Sequence, residues 1–196
     1  MSQILNKNLF LIKEHIGMFK AANNYDIYDP ENGEIILECR EDKLNIFTKM
    51  FRFTKYKTMT PFHIEIKSPE GKTILTIKRG ISIFLSNVIV LDENYEHIGT
   101  FKQKFFSIGG KFNVLNAKQE ILCTLKGEWK GWNFKFGLEN KEFAEVSKKW
   151  SGLGKELFTS ADNYVLKISD DVPENSTMRK LILSAVMCID MVLKER

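Results

Sequence analysis

The segment from Ser176 to Arg196, STMRKLILSAVMCIDMVLKER, restricts the fold more than any other part of the chain. Between Leu181 and Leu193 only Ser184 and Asp190 interrupt a run of apolar residues. A helix of this composition has no polar face, so it must be buried on every side or lie in lipid. A membrane span needs about 20 apolar residues; this run is shorter and carries an aspartate, which is costly at mid-membrane depth. The expectation is a helix enclosed by protein, with Leu181, Ile182, Ala185, Val186, Ile189 and Leu193 forming its buried surface. A membrane-inserted tail and an oligomer interface are the other environments that would accept it.

The preceding residues have to supply the enclosure, and they read as strands. After a short apolar run, Leu9 to Ile12, five segments share one form: an alternating strand, a polar turn and a second alternating strand. The turns fall at Asp29 to Gly33, Ser68 to Gly71, Asp92 to Tyr95, Asn116 to Gln119 and Gly137 to Lys141. Asn32-Gly33 after Pro30 is strong turn chemistry, because glycine accepts the positive φ that tight hairpins require. Tyr164 to Ile168 adds a strand ahead of the helix, and Ile46 to Phe53 reads as either a strand or a short helix. The total is about twelve strands and one long helix, in a single domain over residues 1–196.

A sheet of that many strands curls, and closure removes its exposed edges. Alternation then turns one residue set inward, where something apolar must fill a wide lumen. The C-terminal helix is the one segment long and apolar enough to do so. The expected fold is therefore all-β with one buried helix: a closed antiparallel barrel of about twelve strands around the C-terminal helix. An open sandwich with the helix packed outside would need a polar helix face, and there is none. Fifteen Phe and three Trp suit strands and a wide core, and 43% hydrophobic with 28% charged residues argues against disorder.

The stretch from Ala144 to Tyr164, AEVSKKWSGLGKELFTSADNY, resembles the phospholipid scramblases and the related LURP-one proteins. The matching residues are Val146, Ser147, Lys148, Trp150, Gly152, Glu156, Ala161, Asp162, Asn163 and Tyr164. The resemblance implies a tubby-like barrel around a central C-terminal helix. It also implies a calcium-binding loop before the helix, for which Asp162, Asn163, Asp170 and Asp171 are the candidate ligands here. The family's first acidic position is Ser160 in this chain, and calcium wants six to eight oxygens, so the loop reads as a remnant and no cofactor is expected. The proline-rich N-terminal region and palmitoylated cysteine cluster of scramblases proper are absent from this sequence.

Catalytic patterns are missing: there is no nucleophile motif, P-loop, HExxH or dinucleotide fingerprint, and His15, His63 and His97 are scattered. An enzyme is not expected. Cys39, Cys123 and Cys188 are too widely spaced for a zinc site and fit free thiols in a reducing compartment. The N-terminus has no apolar core of signal-peptide length, Ser2 replaces the glycine that myristoylation needs, and the C-terminus lacks a prenylation cysteine. Neither secretion nor a lipid anchor is expected. One basic grouping stands out: Lys49, Arg52, Lys55 and Lys57 alternate with Met50, Phe51, Phe53 and Tyr56, as on a surface that touches anionic headgroups. Tubby proteins, which share the implied fold, bind phosphoinositides through basic residues. Trp129 and Trp132 with Lys126 and Lys130 are the residue types of a nucleic-acid surface, but a barrel exterior accounts for them and nucleic acid is not an expected partner.

The expected function is a non-enzymatic lipid-associated or protein-binding module in the cytoplasm, peripheral to the membrane. Its partners would be anionic phospholipid or phosphoinositide, or a protein. True lipid scrambling with the helix in the bilayer and carriage of a small ligand in the lumen are the alternatives.

Overall fold

A computed structural model describes residues 3–15, 22, 24–41, 46–54, 56, 59–82, 87–104, 111–128, 133–148 and 163–193. Twelve strands run in chain order: β1 (Leu9–Glu14), β2 (Tyr25–Tyr28), β3 (Ile35–Glu41), β4 (Phe62–Lys67), β5 (Thr73–Arg79), β6 (Asn87–Leu91), β7 (His97–Gln103), β8 (Lys111–Asn116), β9 (Ile121–Glu128), β10 (Asn133–Leu138), β11 (Lys141–Ser147) and β12 (Asn163–Ile168). Helix α1 (Ile46–Arg52) lies between β3 and β4, and helix α2 (Thr177–Leu193) follows β12. The ambiguous 46–53 segment is thus helical. Each strand pairs antiparallel with its sequence neighbours, and β1 closes the barrel by pairing β12 at Phe10–Leu166 and β2 at Ile12–Ile27.

Side-chain alternation sets which face is inside. On β4, Phe62, Ile64 and Ile66 are buried while His63, Glu65 and Lys67 are half-buried. Across the ladder Ile64 meets Ile77 and Ile66 meets Leu75, so the inward set is continuous from strand to strand. This set and α2 form one apolar core.

Helix α2 occupies the lumen. Every residue from Leu181 to Ile189 is buried, a stretch of more than two helical turns, so no azimuth is left open. The helix packs on β5, β7 and β12, which lie at separate points around the barrel. Two of its polar side chains bond within the helix: Ser184 Oγ donates to Lys180 O at 2.8 Å, and Cys188 Sγ to Ser184 O at 3.3 Å. Leu181, Ile182, Ala185, Val186 and Ile189 are buried as expected; the side chain of Leu193 lies outside the described set. Gly99 on β7 permits the close approach, since a Cβ there would stand 2.7 Å from the Leu181 methyls and 2.5 Å from Leu115 O.

One rim of the barrel carries the five hairpin turns. Gly33 and Gly71 take positive φ (73° and 86°), as do the non-glycine residues Tyr95, Gln119 and Glu139. Local side chains compensate: Asp92 Oδ1 accepts from the Asn94 and Glu96 amides, and Asn116 Oδ1 from the Glu120 amide. The last hairpin differs from the sequence expectation. β10 continues through Gly137 and Leu138 past a bulge, and the turn contracts to Glu139-Asn140. Helix α2 enters at this rim, where Arg179 is buried and donates to the carbonyls of Val172, Asn6 and Lys7. Those bonds tie the helix start to the N-terminal Gln3–Asn6 turn.

Candidate functional site

The other rim receives the ends of β3, β5, β7 and β9 and the starts of β4, β6, β8 and β10. Two features there have no counterpart among the hairpin turns. The first is a buried ion pair. Arg52 at the end of α1 turns toward the barrel, its side chain 1% exposed, and forks onto Glu41 with Nη1 and Nη2 each 2.5 Å from a carboxylate oxygen. Arg52 also donates to Thr60 Oγ1 and Pro61 O, which places donors in the fixed directions of its guanidinium. Beside it Arg79 points inward from β5, donates to Thr60 O, and stacks its guanidinium 4.7 Å from the Phe62 ring centre. Burial pulls Arg79 down to about 10, and the neighbouring Arg52 charge adds to that.

The second feature follows from the first. Arg52 and Thr48, one turn apart, form the inner face of α1, so Ile46, Phe47, Met50 and Phe51 face outward and are exposed. Surface helices normally bury an apolar stripe and expose polar residues; α1 is inverted. Phe53, Tyr56 and Ile81 extend the apolar surface, Phe47 being 69% and Ile81 77% exposed. Phe47, Phe51, Tyr56, Met59, Pro61 and Ile81 frame an open recess of about 450 Å³. Elsewhere among the described residues, exposed large hydrophobics stand singly, at Ile35, Ile89, Tyr95, Ile121 and Leu138.

Measured against the sequence-based candidates, Lys49 is exposed within this apolar surface. Arg52 is corrected from a headgroup ligand to the internal partner of Glu41, because a guanidinium this deeply paired presents nothing to a surface. Lys55 and Lys57 lie outside the described residues. So does Asp162 of the calcium-loop candidates. The other three do not converge: Asn163 is buried at the start of β12, while Asp170 and Asp171 follow its end. The six strand residues 163–168 alone separate them by roughly 17 Å of extended chain. Asp170 accepts from Asn8, and Asp171 pairs with Lys141 at 3.3 Å. Among the described residues no group of three or more His, Cys, Asp or Glu side chains could hold a metal.

The lumen offers little room beside α2. Val88, Phe101, Phe112, Leu125, Ala185 and Ile189 surround a cavity of about 10 Å³, close to the size of one water, whereas ligand pockets run to about 300–1,000 Å³. Cys39, Cys123 and Cys188 are free and buried, and burial pushes each thiol up, Cys123 to about 12. Among the described residues no helix is long and apolar enough to cross a membrane.

Comparison with known proteins supplies the family. A protein named altered inheritance rate of mitochondria protein 25, from Saccharomyces cerevisiae, is 24% identical over 95% of this chain and 66% of its own length. Human phospholipid scramblase family member 5 is 23% identical over 93% of this chain and 71% of its own. Human phospholipid scramblase 2 is 22% identical over 91% of this chain and 62% of its own. The chain thus spans about two thirds of the length of these relatives. No solved structure matches it. Of the motif that carried the resemblance, residues 149–162 lie outside the described set, while Val146 and Tyr164 are buried on β11 and β12. The family model described as Scramblase matches residues 3–196, nearly end to end, and the chain belongs to that family.

Proposed function

We propose that this protein is a non-enzymatic module that binds anionic phospholipid at the cytoplasmic face of a membrane, through α1 and the apolar surface around it. The inversion of α1 carries the reading: its polar face is committed to Glu41, and the exposed face needs an apolar environment that water does not provide. A cluster of this kind on one rim marks an interaction surface. A membrane interface suits it because Lys49 sits among the aromatics, an arrangement that places rings at headgroup depth and a cation beside the phosphates. Two relatives carry phospholipid scramblase in their names, which supports phospholipid over a protein partner.

Moving lipid across the bilayer by inserting α2 is less well supported. The helix would have to leave a lumen whose inward-facing Phe, Ile and Val side chains then lose their packing.

Vesicle co-sedimentation tests the proposal. Each phenylalanine moved from water into the interface contributes about 1.5–3 kcal/mol if fully buried. Phe47→Ser with Phe51→Ser should therefore weaken binding to phosphatidylserine-containing vesicles by at least about ten-fold. Unchanged binding by this pair would remove α1 as the contact and the proposal with it.

A further inference from the structure

Strand register gathers a feature that no local stretch of sequence displays. The amide of Lys104 donates to Lys111 O at 2.9 Å, Lys111 pairs with Lys126, and Lys126 pairs with Lys135. Four lysines, three on consecutive strands and Lys104 just past the end of β7, therefore stand side by side, all exposed, because the neighbours Phe112, Leu125, Phe134 and Phe136 take the inward positions. The row ends at Glu145, which pairs with Lys135 in register, while the Lys135 amine reaches Glu142 at 2.8 Å. Directly opposed like charges on a sheet are destabilising. Lys126 has a lysine on both sides. The row borders a trough of about 520 Å³ on the outer wall, where Gly127 and Gly137 contribute no side chain.

Its position along the barrel axis gives the row its meaning. Lys111 opens β8, Lys104 directly follows β7, Lys126 lies two residues before the end of β9, and Lys135 two residues after the start of β10. All four are at the rim that carries α1 and Ile81. The hairpin rim leans the other way: Glu31, Glu34, Glu70, Glu96, Glu120 and Glu139 are exposed there, against the exposed lysines Lys72, Lys118 and Lys141. A net charge of +4 conceals this segregation.

We propose that the barrel docks end-on against an anionic phospholipid surface, with the Lys104, Lys111, Lys126 and Lys135 row binding headgroup phosphates while α1 and Ile81 enter the interface on the other side of the same rim. This deepens, and rests on, the lipid-surface reading above. The apolar patch lies over β3 to β5 and the lysine row over β7 to β10, so a plane perpendicular to the axis meets both. The acidic turns then face away from a surface that would repel them.

The test uses vesicles of phosphatidylcholine with and without phosphatidylserine. Lys111→Gln with Lys126→Gln should weaken binding to the anionic vesicles by roughly 25-fold, about five-fold per lysine near the surface. Its melting temperature should stay close to the parent's, as for other exposed substitutions, which separates a binding loss from a folding defect. Lys72→Gln with Lys118→Gln, an equal charge change on the hairpin rim, should bind like the parent. An environment-sensitive fluorophore on Ile81→Cys should shift to the blue on binding, and one on Tyr95→Cys should not.

If the parent protein ignores anionic vesicles altogether, the lipid reading falls and this inference with it. If the parent binds but both charge variants weaken equally, or the label at position 95 shifts, the lipid reading stands and the end-on orientation is overturned. Loss of inorganic polyphosphate binding in the row variant, with vesicle binding intact, would likewise overturn it by assigning the row to a soluble anion.

Discussion

The two rims of this barrel are built from the same twelve strands and solve different problems. At the hairpin rim the connections are short, turns at Gly33 and Gly71 take positive φ, and Asp92 and Asn116 bond the amides their turns would leave unpaired. Arg179 knots the start of α2 to the N-terminal turn with bonds to Asn6 and Lys7 carbonyls. At the opposite rim a longer connection, residues 42–61, holds a helix whose polar side is buried and whose apolar side faces out. One rim closes the fold, and the other keeps an unsatisfied apolar surface in place. What separates them is the face that meets solvent: polar turns at the hairpins, and at α1 an apolar surface backed by the Arg52–Glu41 pair.

The largest effect should come from the pair that holds α1. Glu41→Ala leaves Arg52 buried and uncompensated, which costs about 3–5 kcal/mol. Chemical denaturation monitored by tryptophan fluorescence should register that loss. Replacing both partners, Glu41→Leu with Arg52→Met, should recover most of it, since an apolar pair of similar volume avoids desolvating two charges. A double variant no better than Glu41→Ala would mean that the pair does not hold the helix through charge.

Gly99→Ala sharpens the contrast from the lumen side. The new methyl would overlap the Leu181 methyls and the Leu115 carbonyl, so the Leu181 side chain and the β7–β8 ladder must give way, at a cost of about 1–3 kcal/mol. Leu181→Ala in the same chain should relieve part of the overlap, a coupling that a double-mutant cycle reads directly. Gly71→Ala at the hairpin rim has open space around it, so only its φ of 86° opposes the change, and about 1 kcal/mol should be lost. Independent additivity of Gly71→Ala with Gly99→Ala is expected, because the turn and the lumen share no contact of this kind.

How much of this was legible beforehand depended on how local each signal is. The barrel and its helix could be read because alternation on strands such as β4 and uniform apolarity on Leu181 to Ile189 are properties of single segments. The turn between β10 and β11 was placed too early because Gly137 reads as a turn residue. It sits instead at a bulge, where a Cβ would stand 2.8 Å from Lys141 O. The orientation of α1 was not readable: basic and aromatic residues alternate along it, and the choice between faces rests on Glu41, a residue of a different element. The lysine row was invisible for the same reason, its members lying on β8, β9 and β10 and just beyond β7. The strand read at Tyr164 to Ile168 is the same one that holds Asn163 and Asp170 apart, in keeping with a loop that is only a remnant.

A smaller effect separates Asp26, near the α1 rim, from the solvated hairpin acids. Burial alone would raise its carboxyl, but hydrogen bonds from His15 at 2.6 Å and Arg40 at 2.7 Å hold it below the usual 3.8. Because the folded value is the lower one, the unfolded chain takes up a proton first as pH falls. The stability that Asp26 contributes is complete above 3.8 and is lost as pH drops through the folded value. Asp26→Asn should flatten that part of the acid-unfolding curve relative to the parent. An identical slope would mean the His15 and Arg40 bonds do not favour the carboxylate in solution.

The smallest expected effect on stability is the most informative about the two rims. Phe47 and Phe51 are exposed, and their replacement by serine removes apolar area that is already in water. The folded and unfolded states should change almost equally, leaving stability within about 0.5 kcal/mol of the parent. The same change at Ile35 on the hairpin rim, which is only 37% exposed, should cost somewhat more in denaturation. The two sites should then part in the vesicle assay, where Phe47→Ser with Phe51→Ser weakens binding and Ile35→Ser leaves it intact. A large stability loss for the phenylalanine pair would mean that α1 buries its aromatic face against the barrel in solution. The inversion on which the comparison of the rims rests would then be gone.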